Sequence, residues 1–308
     1  MPTPPLIVSV PDQGMVQALG DLPDNVEFIE WDMSGPPPRP EIDLAVQPYL
    51  IGPQVLEQLK GVTTRLVQSP MVGYDGVAEH LPPGHVFANA ASVHETSTSE
   101  LTLALVLAAQ RGIPDFVRSA TQGRWERSWH QSLADRRVLL IGYGGVGKAI
   151  EERLLPFEVI LTRVARHARF DERGEIYSID SLDELLPAAE IVIVAVPLSE
   201  DTTGLVDEAF LSKMQDGALF VNISRGPVAD TDALLKHASS GRLRLALDVT
   251  DPEPLPDGHP LFALTNVLIS PHVGGATSAA MPRMARLLRE QINRLREGKE
   301  PLNVVLRT

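Results

Sequence analysis

The chain has 308 residues, and at roughly 150 residues per domain that length suggests about two domains, each able to bury a core. Hydrophobic residues make up 44% and charged ones 22%, with 23 glycines and 26 prolines, which excludes the disordered and collagen-like classes. A net charge of −13 argues against nucleic acid or an anionic membrane as partner, and the absence of cysteine excludes disulfides, thiol nucleophiles, thiolate zinc and iron–sulfur clusters, so a cytoplasmic protein without a metal is expected.

The first five residues lack the basic stretch of a signal peptide, and the apolar run at 6–10 is too short for its core. Up to about residue 98 the chain is proline-rich and carries strand candidates at 6–10, 26–31, 44–46 and 65–68, which read as a smaller α/β domain. Residues 100–111 form a strongly apolar helix expected to be buried at a domain or subunit junction. Its apolar run is about half of the roughly 20 residues that a bilayer crossing needs. Trp125 and Trp129, four positions apart, read as packing residues at helical spacing, with lining of an active site across a dimer as the alternative.

From Arg137 onward short apolar runs alternate with helix-like stretches, the pattern of βα units on a parallel sheet. Strands are predicted at 138–141, 159–164, 191–196, 218–223, 243–249 and 267–270. They lack polar alternation, as strands covered on both faces should, so one doubly wound sheet of six strands is expected. A helix at 279–297 follows and is expected to pack back toward the N-terminal domain.

The first of these strands runs into Gly142-Tyr143-Gly144-Gly145-Val146-Gly147 and then a helical stretch. Gly142 allows the tight turn, Gly144 lets backbone approach a pyrophosphate, and Gly147 lets helix and strand pack closely; N–H groups at the start of the helical stretch 148–155 face the phosphates, and Gly145 and Val146 are counted with the turn as coenzyme contacts. An acid on the ribose 2′-OH is normal about 20 residues on. Here the second strand ends in Ala165-Arg166-His167-Ala168-Arg169, so Arg166 is expected to pair with a 2′-phosphate and the coenzyme to be NADP, with NAD possible if Asp171 takes the usual acid's place.

Ligands bind beyond the carboxyl ends of such strands. There stand Pro197, Ile223 with Arg225, Asp248 with Glu253 shortly after, and His272. Together the arginine, glutamate and histidine resemble a carbonyl-reduction site, where a proton must reach the carbonyl oxygen, a task suited to histidine. A glutamate bonded to the imidazole favours its charged form and fixes the ring, and an arginine can fork onto a carboxylate and polarise the carbonyl. Arg225 pairing with Asp230 or Asp232, and Asp248 capping local backbone, are the plainer alternatives.

Val72-Gly73-Tyr74-Asp75, the glycine turn, Val196-Pro197-Leu198, Val221-Asn222-Ile223-Ser224-Arg225-Gly226, Leu247-Asp248-Val249 with Pro252-Glu253-Pro254-Leu255, and Ser270-Pro271-His272 together resemble the D-isomer-specific 2-hydroxyacid dehydrogenases, in order and spacing, from about residue 65 to 280. The resemblance implies a Rossmann coenzyme domain at 99–283 and a smaller flavodoxin-like substrate domain at 1–98 completed by 284–308. It implies Arg225 as substrate anchor, Glu253 as the partner of an acid/base His272, Asp248, Pro197 and Ile223 near the coenzyme, and backbone at Val72 and Gly73 near the substrate carboxylate. A homodimer reducing glyoxylate or hydroxypyruvate to the D-2-hydroxy acid is the expectation. A 3-phosphoglycerate dehydrogenase-like enzyme and a dinucleotide-sensing corepressor-like protein are the alternatives.

Overall fold

A computed structural model describes residues 4–21 and 25–308. The chain forms two units, one ending at His94 and resuming at Thr277, the other running from Glu95 to Ala276.

In the first unit the short apolar runs become strands β1 (Leu6–Val10), β2 (Val26–Glu30), β3 (Leu44–Val46), β4 (Leu66–Gln68) and β5 (Val86–Ala88), with β14 (Val304–Arg307) from the end of the chain. Among the described residues they make one sheet in the order β14-β5-β4-β3-β1-β2, parallel except for β14. The helix Ala280–Arg296 lays Met284, Leu288 and Ile292 against Val8, Leu44, Val46 and Leu66. Neither β5 nor β14 is foreseen from pattern, because runs of three or four residues barely register a period.

In the second unit β6 (Arg137–Ile141), β7 (Ile160–Ala165), β8 (Arg169–Asp171), β9 (Gly174–Ser178), β10 (Ile191–Val194), β11 (Leu219–Asn222), β12 (Arg244–Leu247) and β13 (Val267–Ile269) form a sheet in the order β13-β12-β11-β10-β6-β7-β9-β8. The doubly wound parallel architecture is as expected, but the sheet has eight strands rather than six. The addition is the hairpin β8–β9, antiparallel within itself and too polar to read as apolar runs. Leu139, Ile141, Val192 and Phe220 enter one core layer, while Val138, Leu140, Ile193 and Val221 enter the other. Burial on both faces is why these strands carry no polar alternation. Chain order reverses between β6 and β10, which is where such sheets open a crevice.

The apolar helix spans Glu95–Arg111, starting earlier than expected because buried Ser97, Ser99 and Thr102 hide its first turns from a hydropathy reading. It packs on the helix Gly145–Leu154 and on β11, so its apolar surface is largely covered within its own unit. Trp125 and Trp129 are not on a helix: they sit in an irregular segment, 88% and 102% exposed. Among the described residues no helix is long and apolar enough to cross a membrane.

Candidate coenzyme and catalytic site

The glycine turn lies at the sheet's reversal. Gly142 has φ +103°, and a Cβ there would stand 2.5 Å from the Ala195 carbonyl just beyond β10, so neither the dihedral nor the space admits a side chain. A Cβ on Gly147 would come within 2.1 Å of the Gly142 carbonyl oxygen, while one on Gly144 would meet nothing within 4 Å. The first and third glycines therefore close the turn, and the second leaves its outer side open. Exposed Gly144 and Gly145 lead into a ten-residue helix with no side-chain cap, whose first N–H groups have no intrahelical partner. Val146 is half-buried beneath it. Open backbone, uncapped donors and the positive end of a helix dipole fit a dinucleotide pyrophosphate.

A buried polar network underlies this turn and has no counterpart in the sequence reading. The Tyr143 hydroxyl donates to Glu151, whose carboxylate also meets Arg173 at 2.8 Å and Arg163 at 3.5 Å; Tyr143, Glu151 and Arg163 are all buried. Burial, and next the bond to Glu151, push the Tyr143 phenol up from its ordinary value, so it stays a donor. Asp171 bonds Arg163 at 3.1 Å and the Arg173 N–H at 2.9 Å, so it holds the hairpin together instead of standing at the end of β7 as a ribose acid. Beyond β7, Arg166 is exposed and reaches Asp201 at 3.0 Å, and Arg169 donates to the Tyr143 carbonyl at 3.2 Å, over the glycine turn.

Three neighbouring parallel strands deliver the rest. After β11, Asn222 Oδ1 accepts from Ser224 N (3.0 Å) and Ser224 Oγ (2.7 Å), while Asn222 Nδ2 donates to the Arg225 carbonyl (3.2 Å), shaping the turn that presents the half-buried Arg225. A Cβ on Gly226 would lie 1.9 Å from the Thr250 carbonyl oxygen, so this turn and the loop after β12 touch backbone to backbone. That loop carries Glu253. After β13, His272 adopts φ +51° and its N–H donates to the Asp248 carbonyl at 2.7 Å. Its Nδ1 meets Glu253 Oε1 at 2.5 Å, both side chains about two-fifths exposed.

Asp248 is 3% exposed. Its Oδ1 accepts from Ser270 Oγ (2.7 Å) and Val273 N (3.0 Å), and its Oδ2 from Gly274 N (3.0 Å). The carboxylate thus ties down the loop on both sides of His272, which is the local-capping alternative in its geometry. Asp230 caps the helix Thr231–Ser239 through Asp232 N and Ala233 N. Ile223 is buried on a bond to the Val194 carbonyl, and exposed Pro197 accepts from Thr202 Oγ1 at 2.7 Å. Val72 and Gly73 belong to the first unit, beyond β4, where Asn89 Nδ2 donates to the Val72 carbonyl at 2.7 Å. The roles of Asn222, Ser270 and the Tyr143–Glu151–Arg163 cluster escape a linear reading; polar residues at strand ends are the one signal that points to the first two.

The family model described as "D-isomer specific 2-hydroxyacid dehydrogenase, NAD binding domain" matches residues 103–274. The chain is 33% identical over 297 residues to the human glyoxylate reductase/hydroxypyruvate reductase, covering 90% of each chain. It is 32% identical over 248 residues to a glyoxylate reductase of Thermofilum pendens, covering 77% of this chain and 73% of that one. Its fold matches a D-isomer specific 2-hydroxyacid dehydrogenase of Xanthobacter autotrophicus, solved with NADPH and MES, at a TM-score of 0.82 and 27% identity over 99% and 98% of the two chains. With a Rossmann turn, an arginine and a histidine–glutamate pair at adjoining strand ends, and these matches along its length, the chain belongs to the D-isomer specific 2-hydroxyacid dehydrogenases, enzymes that use NAD(P).

Proposed function

We propose that the protein is an NADP(H)-preferring reductase that interconverts a small 2-keto acid, such as glyoxylate or hydroxypyruvate, with its D-2-hydroxy acid. The observation that carries this is the 2.5 Å contact of His272 Nδ1 with Glu253, at strand ends next to the one that presents Arg225. A carboxylate beside Nδ1 accepts a hydrogen bond from that nitrogen's N–H, which leaves Nε2 as the atom that exchanges a proton with substrate. Arg225 holds the substrate carboxylate and polarises the carbonyl, and protonated His272 gives its Nε2 proton to the carbonyl oxygen as that oxygen gains charge. When bound, the reduced nicotinamide supplies the hydride to the carbonyl carbon. Glu253 steadies the ring in both directions; in the oxidative direction neutral His272 takes the hydroxyl proton. Asp248 acts one step behind, through the loop. Backbone at Val72 and Gly73 is assigned to the substrate carboxylate on the family resemblance.

The NADP preference rests on two arginines, Arg166 and Arg169, where an acid would serve NAD, and on the NADPH complex of the similar Xanthobacter enzyme. Ile113, Phe116, Val117, Trp125 and Trp129 are each exposed, and a second copy of the chain would cover such side chains, so a homodimer is part of the proposal. Cysteine-free composition suits the cytoplasm.

The test is turnover with NADPH and with NADH on glyoxylate, hydroxypyruvate and 3-phosphohydroxypyruvate, repeated on Arg166→Asp. Fast NADPH oxidation with the small acids, shifted toward NADH by the substitution, is expected. Tight coenzyme binding with no turnover of any acid would sink the enzyme reading and leave a dinucleotide sensor.

A further inference from the structure

In the first unit a chain of buried amides runs from the C-terminal segment to the loop beyond β4. Gln291, on the helix Ala280–Arg296, and Gln68, the last residue of β4, are both fully buried. Gln291 exchanges two hydrogen bonds with the Leu302 backbone, both at 2.9 Å, and its Nε2 also donates to Gln68 Oε1 at 2.8 Å. Gln68 Nε2 in turn reaches the carbonyls of Ser69 (2.9 Å), Asn89 (2.9 Å) and Ala88 (3.3 Å). Asn89 is 7% exposed; its N–H donates to the Asn303 carbonyl at 3.0 Å, and its Oδ1 accepts from Ala91 N at 3.2 Å. That leaves Nδ2, which donates to the Val72 carbonyl at 2.7 Å.

The Val72–Gly73 peptide is trans, so its carbonyl and its N–H point in opposite directions. Pinning Val72 O onto a buried side chain therefore turns the Gly73 N–H away from Asn89. No acceptor among the described residues takes that N–H. Gly73 has no Cβ to resist a rotation of this peptide, so the direction has to be imposed from outside. A neutral amide suits the task, because a carboxylate at position 89 would repel the carbonyl it must hold.

We propose that Asn89, braced by Gln68 and Gln291, is a positioning residue that aims the Gly73 N–H at the carboxylate of the 2-keto acid, an inference that rests on the proposed reductase function. The experiment compares kcat/KM for glyoxylate with that for its uncharged methyl ester in the wild-type protein, Asn89→Ser and Gln291→Met. Serine is too short to reach Val72, so the preference for acid over ester is expected to fall about tenfold in Asn89→Ser through a higher KM for the acid. A drop of about threefold is expected in Gln291→Met, with NADPH affinity unchanged in both. Loss of folded protein lowers both substrates alike and leaves the ratio untouched, and Gln291→Met supplies the readout if Asn89→Ser does not accumulate. An unchanged ratio in either folded variant overturns the inference alone. Absence of any 2-keto acid turnover by the wild-type protein overturns the reductase reading and this inference with it.

Discussion

The loop after β13 and the loop after β4 both lie at the carboxyl end of a parallel strand, and they are held by opposite chemistry. Around His272 the brace is a charge: buried Asp248 gathers two N–H groups and a hydroxyl into one acceptor. Around Val72 and Gly73 the brace is neutral: Gln291, Gln68 and Asn89 pass hydrogen bonds from one amide to the next and end on a carbonyl. The difference follows from what each loop offers. The histidine loop presents donors, which a carboxylate takes up in charge-assisted bonds, whereas the Val72 loop presents a carbonyl acceptor, which only a donor can hold. The two loops show that the polarity of the backbone to be fixed selects the side chain that fixes it.

The largest expected effect comes from removing the reactive group and leaving its brace intact. His272→Gln is expected to lower kcat about 10²–10⁴-fold with NADPH affinity and melting temperature preserved, as measured by steady-state kinetics beside a binding titration. Placing a charge in the neutral brace is the next test. In Gln68→Glu a buried carboxylate would face three carbonyl oxygens, and a loss of about 3–5 kcal/mol in denaturant unfolding of the first unit is expected. The reverse exchange, Asp248→Asn, puts an amide where an acceptor for three donors is needed. A loss of about 1–3 kcal/mol, together with a lower kcat and little change in NADPH affinity, is the expected outcome; a large loss of NADPH affinity would instead show that Asp248 acts directly on the coenzyme.

The smallest effect is acid sensitivity, and it touches both units alike. Burial lowers the pKa of His85 in the first unit, and of His237 in the second, where Arg242 adds to the effect. The unfolded chain takes up these protons near pH 6.5 and the folded chain resists them, so stability is full above that pH and declines as pH falls below it. Thermal melts between pH 7.5 and 5.5 are expected to drift downward. His237→Gln, whose amide oxygen can still accept from Arg242, is expected to flatten the drift in the second unit.

Most of the second unit's fold is legible in its sequence. β6, β7 and β10 to β13 coincide with apolar runs because strands buried on both faces leave a mark that does not depend on their neighbours. The hairpin β8–β9 leaves none, and its role emerges only when Asp171 and Arg173 are seen closing on Arg163 and Glu151. Trp125 and Trp129 mislead for a related reason: a spacing of four suggests a helix only if the backbone between them is helical, and here it is irregular. Arg225, Glu253 and His272 stand out in the sequence through the short motifs around them. Asn222, Gln68, Asn89 and Gln291 do not, since a single polar residue in an apolar strand or helix carries no sign of what it will meet.

By itself the sequence determined the glycine turn, the alternation of strand and helix, and the residue types able to move a proton and hold a carboxylate, because each depends on neighbours a few positions away. Only the tertiary structure decided which polar groups are spent on structure and which remain for chemistry. Asp248 lies 22 residues from Ser270, and Gln291 lies 223 from Gln68. Over such separations hydrogen-bond partners are set by strand order and packing, and no local pattern records them.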